Sequence, residues 1–66
     1  MRRLRLKEIR ESRLLTQAQL ARQARVSRVT ISRLEQGIQE AGFNTIHRLA
    51  RALAIQPAEL LEQEPW

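Results

Sequence analysis

Two arginines, a valine and a serine recur at one- and four-residue spacings within the stretch from residue 24 to residue 37. Residues three or four apart share one face of an α-helix, and such spacings link the four residues Arg28, Val29, Ser32 and Arg33. The arginine guanidinium is a planar fork of hydrogen-bond donors that suits phosphates and the edges of guanine. No acidic residue lies on this face, so the stretch predicts a surface that contacts an anionic partner.

The basic residues are concentrated in the first half of the chain. The protein has 66 residues and a formal net charge of +5, and its basic side chains are eleven arginines and one lysine. Residues 1–33 hold ten of them against two glutamates, whereas residues 34–66 hold two against five, so the halves carry +8 and −3. Such a field attracts and orients a polyanion, which favours nucleic acid as the partner. The alternative is a solvated charged surface.

The residue inventory does not support catalytic or metal-binding chemistry. The chain has no cysteine and no aspartate, and His47 is its only histidine. A disulfide framework is therefore excluded, and a metal site would depend on one imidazole and scattered glutamates. A serine nucleophile with His47 as base would need an orienting carboxylate and an oxyanion hole, for which no local signature is present. We expect no enzyme activity, no metal and no cofactor, with His47 on the flank of a helix.

The hydropathy pattern argues against a membrane as partner. No apolar run approaches the roughly 20 residues of a membrane span. The basic amino terminus MRRLRLKEIR is not followed by the apolar stretch of a signal peptide. We expect a soluble, cytoplasmic protein. A single domain of this size has a thin core, because so short a chain buries only about 60% of its unfolded surface.

Helical periodicity, without sustained strand-like alternation, predicts an all-α chain. The predicted helices cover about 4–13, 17 to about 24, 28–36, the segment FNTIHRLARALA, and a short final stretch from Pro57 that carries Leu60 and Leu61. Thr16 with Gln19 three residues later predicts a capping box, and Ser27 predicts a second N-cap. Gly37 ends the third helix. The fourth helix is capped by Gly42 or Asn44, and the sequence leaves both open.

Apolar residues at helical spacing predict the core. Its expected members are Leu6, Ile9, Leu15, Leu20, Ala21, Ala24, Val26, Ile31, Leu34, Ile38, Phe43, Ile46, Leu49, Ala50 and Leu53. Ala21 and Ala24 are small enough to let the second and third helices cross closely. Two short helices with so brief a connection describe a helix-turn-helix.

Residues 17–36, QAQLARQARVSRVTISRLEQ, resemble the helix-turn-helix of the Cro and phage-repressor family. The segments LKEIRESRLLTQAQLA and HRLARALAIQPAELL resemble its flanking helices. The resemblance implies a compact, five-helix, lambda-repressor-like DNA-binding domain over residues 1–66, with the third helix in the major groove. The chain departs from the family pattern at Leu14 and Arg25, where glycine is usual. Ala41 and Gly42 also replace the usual Pro-Ser entry to the fourth helix.

The resemblance assigns roles to the basic half of the chain. The residues expected to contact base edges are Arg28, Val29, Ser32 and Arg33. The two arginines are expected to donate to guanine O6 and N7, and the valine to pack on a thymine methyl group. Contacts to the DNA backbone are expected from Gln17, Ser27, Thr30 and Arg13. Local satisfaction of the backbone is the alternative for the hydroxyls of Ser27 and Thr30.

The resemblance also pairs Arg10 with Glu35 and places the contact of a homodimer within about residues 55–66. The expected dimer residues are Ile55, Pro57, Leu60, Leu61 and Trp66; terminal disorder is the alternative for Trp66. The leading function is a sequence-specific regulator of transcription, a repressor that binds double-stranded DNA at an inverted repeat. The alternative is an antitoxin-like module that binds a protein partner through apolar residues at the carboxyl end.

Overall fold

The described part of the chain, residues 4–61 of a computed structural model, forms four α-helices and one turn of 3-10 helix. The α-helices are α1 (Leu6–Ser12), α2 (Gln17–Ala24), α3 (Arg28–Gln36) and α4 (Phe43–Leu53), and the 3-10 turn covers Pro57–Leu60. The predicted bounds of the second and third helices are confirmed. Among the described residues there is no helix that could serve as a membrane span.

Side chains just ahead of α2 and α3 fix where these helices begin. The Thr16 hydroxyl accepts from the backbone N–H of Gln19 at 3.1 Å, and the Gln19 side chain accepts from the backbone N–H of Thr16 at 2.8 Å. The Ser27 hydroxyl accepts from the backbone N–H of Thr30 at 3.0 Å. Both predicted caps are confirmed, and each satisfies an amide that the first helical turn leaves without a partner.

The connection between α2 and α3 turns sharply at Arg25, whose φ is 59°. This left-handed conformation lets the backbone N–H of Val26 donate to the carbonyl of Ala21 at 3.0 Å. Leu14, after α1, has a similar φ of 58°. A side chain in this region costs about 1 to 2 kcal/mol, so both turns form with strain that glycine would avoid.

The core lies where α2 packs against α3 and α4. Its fully buried side chains are Leu6, Leu20, Ile31, Leu49, Leu53 and Leu60. Ala21 and Ala24 are also buried, and their small size permits the close approach of the helices. Because α3 is held by the side that carries Ile31 and Leu34, its opposite side faces outward.

The prediction of a fifth helix is wrong for the described residues, in which a single 3-10 turn takes its place. Pro57 at the first position has no N–H to donate. The Glu59 side chain accepts from the backbone N–H of Gln56 at 2.7 Å and closes the short turn. Leu61 is then extended and forms an isolated antiparallel β-bridge with Leu4. The same bridge keeps Leu4 out of α1, which begins later than predicted.

Two apolar residues that were predicted in the core are exposed, Phe43 by 75% and Ile38 by 70%. Gly37, with a φ of 77°, redirects the chain after α3, so Ile38 does not continue the buried face. Phe43 follows Gly42, which is the N-cap of α4, and its ring packs on His47 with 4.3 Å between centroids. Both predictions are wrong: the helical face that was extended to Ile38 ends with α3, and the position of Phe43 beside a helix entry did not bury its ring.

Candidate nucleic-acid interface

The outward side of α3 carries the four residues predicted to contact base edges. Arg28, Val29 and Arg33 are exposed, with Val29 exposed by 57%, and Ser32 is half-buried. The structure therefore brings all four onto one surface, which we call the α3 face. Val29 is an exposed apolar side chain between cations, an arrangement that core packing does not require.

The α3 face has unused hydrogen-bond donors. Within residues 4–61, neither Arg28 nor Arg33 makes an ion pair or a side-chain hydrogen bond. The only carboxylate of α3, that of Glu35, is paired with α1 instead. The face consequently presents positive charge and two planar donor forks that an anionic or acceptor-rich ligand can engage.

Hydroxyl groups at the start of α3 are already engaged locally. The oxygens of Ser27 and Thr30 lie 2.7 Å apart, in addition to the cap that Ser27 forms. Ser27 also accepts from the backbone amide of Thr30, and either hydroxyl can be the donor in the contact between the two side chains. Ser32 accepts from the Gln36 side chain at 2.9 Å and retains its donor.

A buried hydrogen-bond network joins α1, α2 and α3, and we call it the Arg10 network. Arg10 Nε donates to Glu35 Oε2 at 2.6 Å, and Arg10 Nη2 donates to Glu35 Oε1 at 3.1 Å. Arg10 Nη1 donates to the Leu15 carbonyl at 2.7 Å. The Arg10 and Glu35 side chains are only 11% and 4% exposed. The hydrogen bonds from Arg10 to Glu35 raise the pKa of Arg10 above its ordinary value, although burial by itself would lower that pKa.

Gln17 completes the Arg10 network from the first position of α2. Its Nε2 donates to Glu35 Oε1 at 3.0 Å, and the residue is half-buried. Sequence reasoning missed this link because the two residues are 18 positions apart and meet only when α2 docks on α3. Arg13, the other residue expected at the DNA backbone, is exposed at the end of α1.

The carboxyl end differs from the surface expected for a dimer. Leu60 is fully buried in the core of its own chain, so its side chain is not available to a second chain. That assignment is wrong, because the 3-10 turn directs Leu60 inward. Ile55, Pro57 and Leu61 are half-buried and remain accessible. Trp66 lies outside the described residues.

Metal-binding side chains are not clustered in residues 4–61. No group of three or more histidine, cysteine, aspartate or glutamate side chains in that range is placed to hold a metal ion. His47 lies on the exposed side of α4, where it packs on Phe43.

The comparisons with known proteins agree with one another. A family model described as helix-turn-helix matches residues 6–60. The restriction-modification controller protein C.AhdI from Aeromonas hydrophila has 36% identity and a TM-score of 0.83, with 85% of each chain covered. The P22 c2 repressor, solved in complex with a synthetic operator, has 30% identity and a TM-score of 0.82, with 91% of each chain covered. No curated protein matches the sequence.

Proposed function

Because the chain belongs to the Cro/C1-type helix-turn-helix family of DNA-binding transcription regulators, we propose that it is a repressor that binds an inverted-repeat operator as a homodimer. In this proposal α3 lies in the major groove, and the protein acts in the cytoplasm as a binding protein, not an enzyme. Repression follows from occupying DNA that polymerase needs.

The observation that carries this proposal is the α3 face. Its two arginines have no partner among residues 4–61, and an exposed valine lies beside them. The side of α3 that carries Ile31 and Leu34 is committed to the core, so the helix can offer this face to a groove without losing packing. A major groove about 12 Å wide admits a single α-helix of this kind.

Each residue of the α3 face has a chemical role in the proposal. Arg28 and Arg33 donate bidentate hydrogen bonds to guanine O6 and N7, each worth about 1 to 3 kcal/mol of discrimination against the wrong base. Val29 packs on a thymine methyl group, and the Ser32 hydroxyl donates to a base or phosphate.

Contacts to the DNA backbone set the register of the α3 face. We assign them to Gln17, which has a donor left for a phosphate, to the hydroxyl of Thr30, to Ser27 through the amino end of α3, and to the exposed cation of Arg13. These contacts position the helix and carry no sequence information of their own.

We place the contact between two copies around Ile55, Pro57 and Leu61, which remain accessible beside the 3-10 turn. A two-fold dimer would read half-sites about one helical turn, roughly 34 Å, apart. The two-fold symmetry of such a dimer matches the symmetry of an inverted repeat, so selection of an inverted repeat would support the dimer.

Selection from a random duplex DNA library at near-physiological salt, followed by sequencing, tests the proposal. We expect an inverted repeat with half-sites one turn apart. The Arg28→Ala, Arg33→Ala double variant serves as the control and should enrich no motif although it folds. Binding by the wild type that depends on salt but selects no motif would contradict the proposal, because the basic surface would then be a general polyanion site.

The alternative is an antitoxin-like protein-interaction module that binds a protein partner through apolar residues at the carboxyl end. Leu60 is buried there, whereas Ile55 and Leu61 are half-exposed and could contact either a second copy or a different protein. A protein partner for this chain is therefore the second candidate.

A further inference from the structure

We propose that Glu35, held by Arg10, is a positioning residue that orients the side-chain amide of Gln17 so that it presents an N–H group to a DNA phosphate. The inference rests on the proposed function, because it needs DNA to approach the amino end of α2. It goes further by assigning the Arg10 network a part in recognition as well as in folding.

The orientation of the Gln17 amide follows from the chemistry of its partner. An ionised carboxylate only accepts hydrogen bonds, so Glu35 Oε1 must face the amide nitrogen of Gln17 and not its oxygen. The Nε2 group carries two hydrogens, and this contact uses one of them. Within residues 4–61 the second hydrogen has no partner. Gln17 is half-buried, so this remaining donor can meet a ligand from solvent.

An unrestrained glutamine amide can also flip and offer its oxygen, which a phosphate repels. Two features of Glu35 prevent this. Its side chain is 4% exposed, and both of its oxygens accept from Arg10 at 2.6 and 3.1 Å, so the carboxylate cannot rotate. A donor already held in its bound orientation loses less freedom on binding, which raises affinity.

Arg10 also compensates the charge of Glu35. A carboxylate directly behind a phosphate-binding amide would repel the phosphate unless a cation neutralised it. The Arg10 guanidinium contacts both carboxylate oxygens and donates to the Leu15 carbonyl at 2.7 Å, next to the N-cap Thr16. The network thus fixes the start of α2 relative to α3, which carries the base-reading residues.

The test is the effect of Gln17→Ala on binding to the duplex that wild-type protein enriches from the random library. This effect is measured in two backgrounds, the wild type and the Arg10→Met, Glu35→Met double variant, which removes both charges and also the oxygen that accepts from the Gln17 amide. We expect Gln17→Ala to weaken binding about fivefold in the wild type and less than twofold in the double variant. Arg33→Ala is the matched control, and its loss should be equal in both backgrounds. Circular dichroism and thermal melting select a temperature at which every variant is folded.

A second measurement separates positioning from a merely structural role. Single neutral methylphosphonates are placed along the same duplex. We expect one phosphate in each half-site where the substitution weakens wild-type binding but has little effect on Gln17→Ala or on the double variant, while the losses at other phosphates persist. If Gln17→Ala costs the same factor in both backgrounds, or nothing in the wild type, the inference fails and the α3 readout stands. If the wild type shows no sequence preference, the inference and the proposed function both fail.

Discussion

At the scale of single residues, Arg28 and Arg33 carry the same guanidinium group but lie more than one helical turn apart on α3. They should therefore specify different base pairs. Arg33→Ala should cost about 1 to 3 kcal/mol at one guanine of each half-site and leave preferences elsewhere unchanged. Competition binding with single-base operator variants measures this. Arg51→Ala removes the same charge from an exposed position on α4 and should change no base preference. A uniform loss across all sequences for Arg33→Ala would refute the readout assignment.

Loss of the buried Arg10 should lower the free energy of unfolding far more than loss of an exposed arginine. Arg10→Met leaves the Glu35 carboxylate buried without its cation, and removal of one member of such a pair costs about 3 to 5 kcal/mol. Urea unfolding followed by circular dichroism measures the free energy of unfolding. Arg13→Met replaces an exposed arginine at the end of α1 and should change it by less than about 0.5 kcal/mol. Similar losses in the two variants would show that the pair does not stabilise the fold.

Family resemblance located individual residues better than it located the links between them. It named Arg10, Glu35 and Gln17 but gave no contact between Gln17 and Glu35. That contact depends on how three helices dock and on which end of an amide faces a carboxylate. Neither follows from spacing along one helix.

At the scale of elements, the starts of α2 and α3 were predictable because each cap is a contact over three residues, as at Thr16 and Ser27. The structure of the stretch that begins at Pro57 could not be predicted in this way. The stretch from Pro57 forms a single 3-10 turn, after which Leu61 is extended and pairs with Leu4, a contact between distant parts of the sequence. The exposure of Phe43 was likewise missed, because a position beside a helix entry does not by itself show whether a side chain is covered by other helices.

The turn after α1 offers a clean test of backbone strain. Leu14 has a φ of 58° and is 90% exposed, so its replacement by glycine loses little packing. Removing the strain at this position should stabilise the folded state by about 1 to 2 kcal/mol. The greater conformational entropy that glycine gives the unfolded chain should cost less, about 0.4 to 1 kcal/mol. We therefore expect Leu14→Gly to raise the free energy of unfolding by about 0.5 to 1 kcal/mol.

Thermal or urea unfolding checks this expectation against a matched control. Arg48→Gly, at an exposed position inside α4, should lower stability by about 1 kcal/mol, since helical φ gives glycine no advantage there. Destabilisation by Leu14→Gly would show that the left-handed turn is not strained.

At the scale of the whole molecule, a thin core and an uneven charge distribution suit a protein that acts in pairs on DNA. The basic half of the sequence supplies α1, α2 and most of α3, and the acidic half supplies the end of α3, α4 and the surface proposed for the partner copy. Sedimentation at tens of micromolar should therefore give the mass of a dimer, and Ile55→Glu should shift it toward monomer by placing a charge in the contact. Monomer alone, both free and with DNA, would overturn the dimer.

The central claim is that the α3 face reads base edges in the major groove. The most direct measurement replaces each guanine of the selected duplex in turn by 7-deazaguanine, which removes the major-groove N7 acceptor and keeps base pairing. We predict loss of affinity at guanines contacted by Arg28 and Arg33, and no loss at the corresponding guanine when that arginine is alanine. Binding that ignores 7-deazaguanine but weakens when inosine removes the minor-groove amino group would contradict the claim.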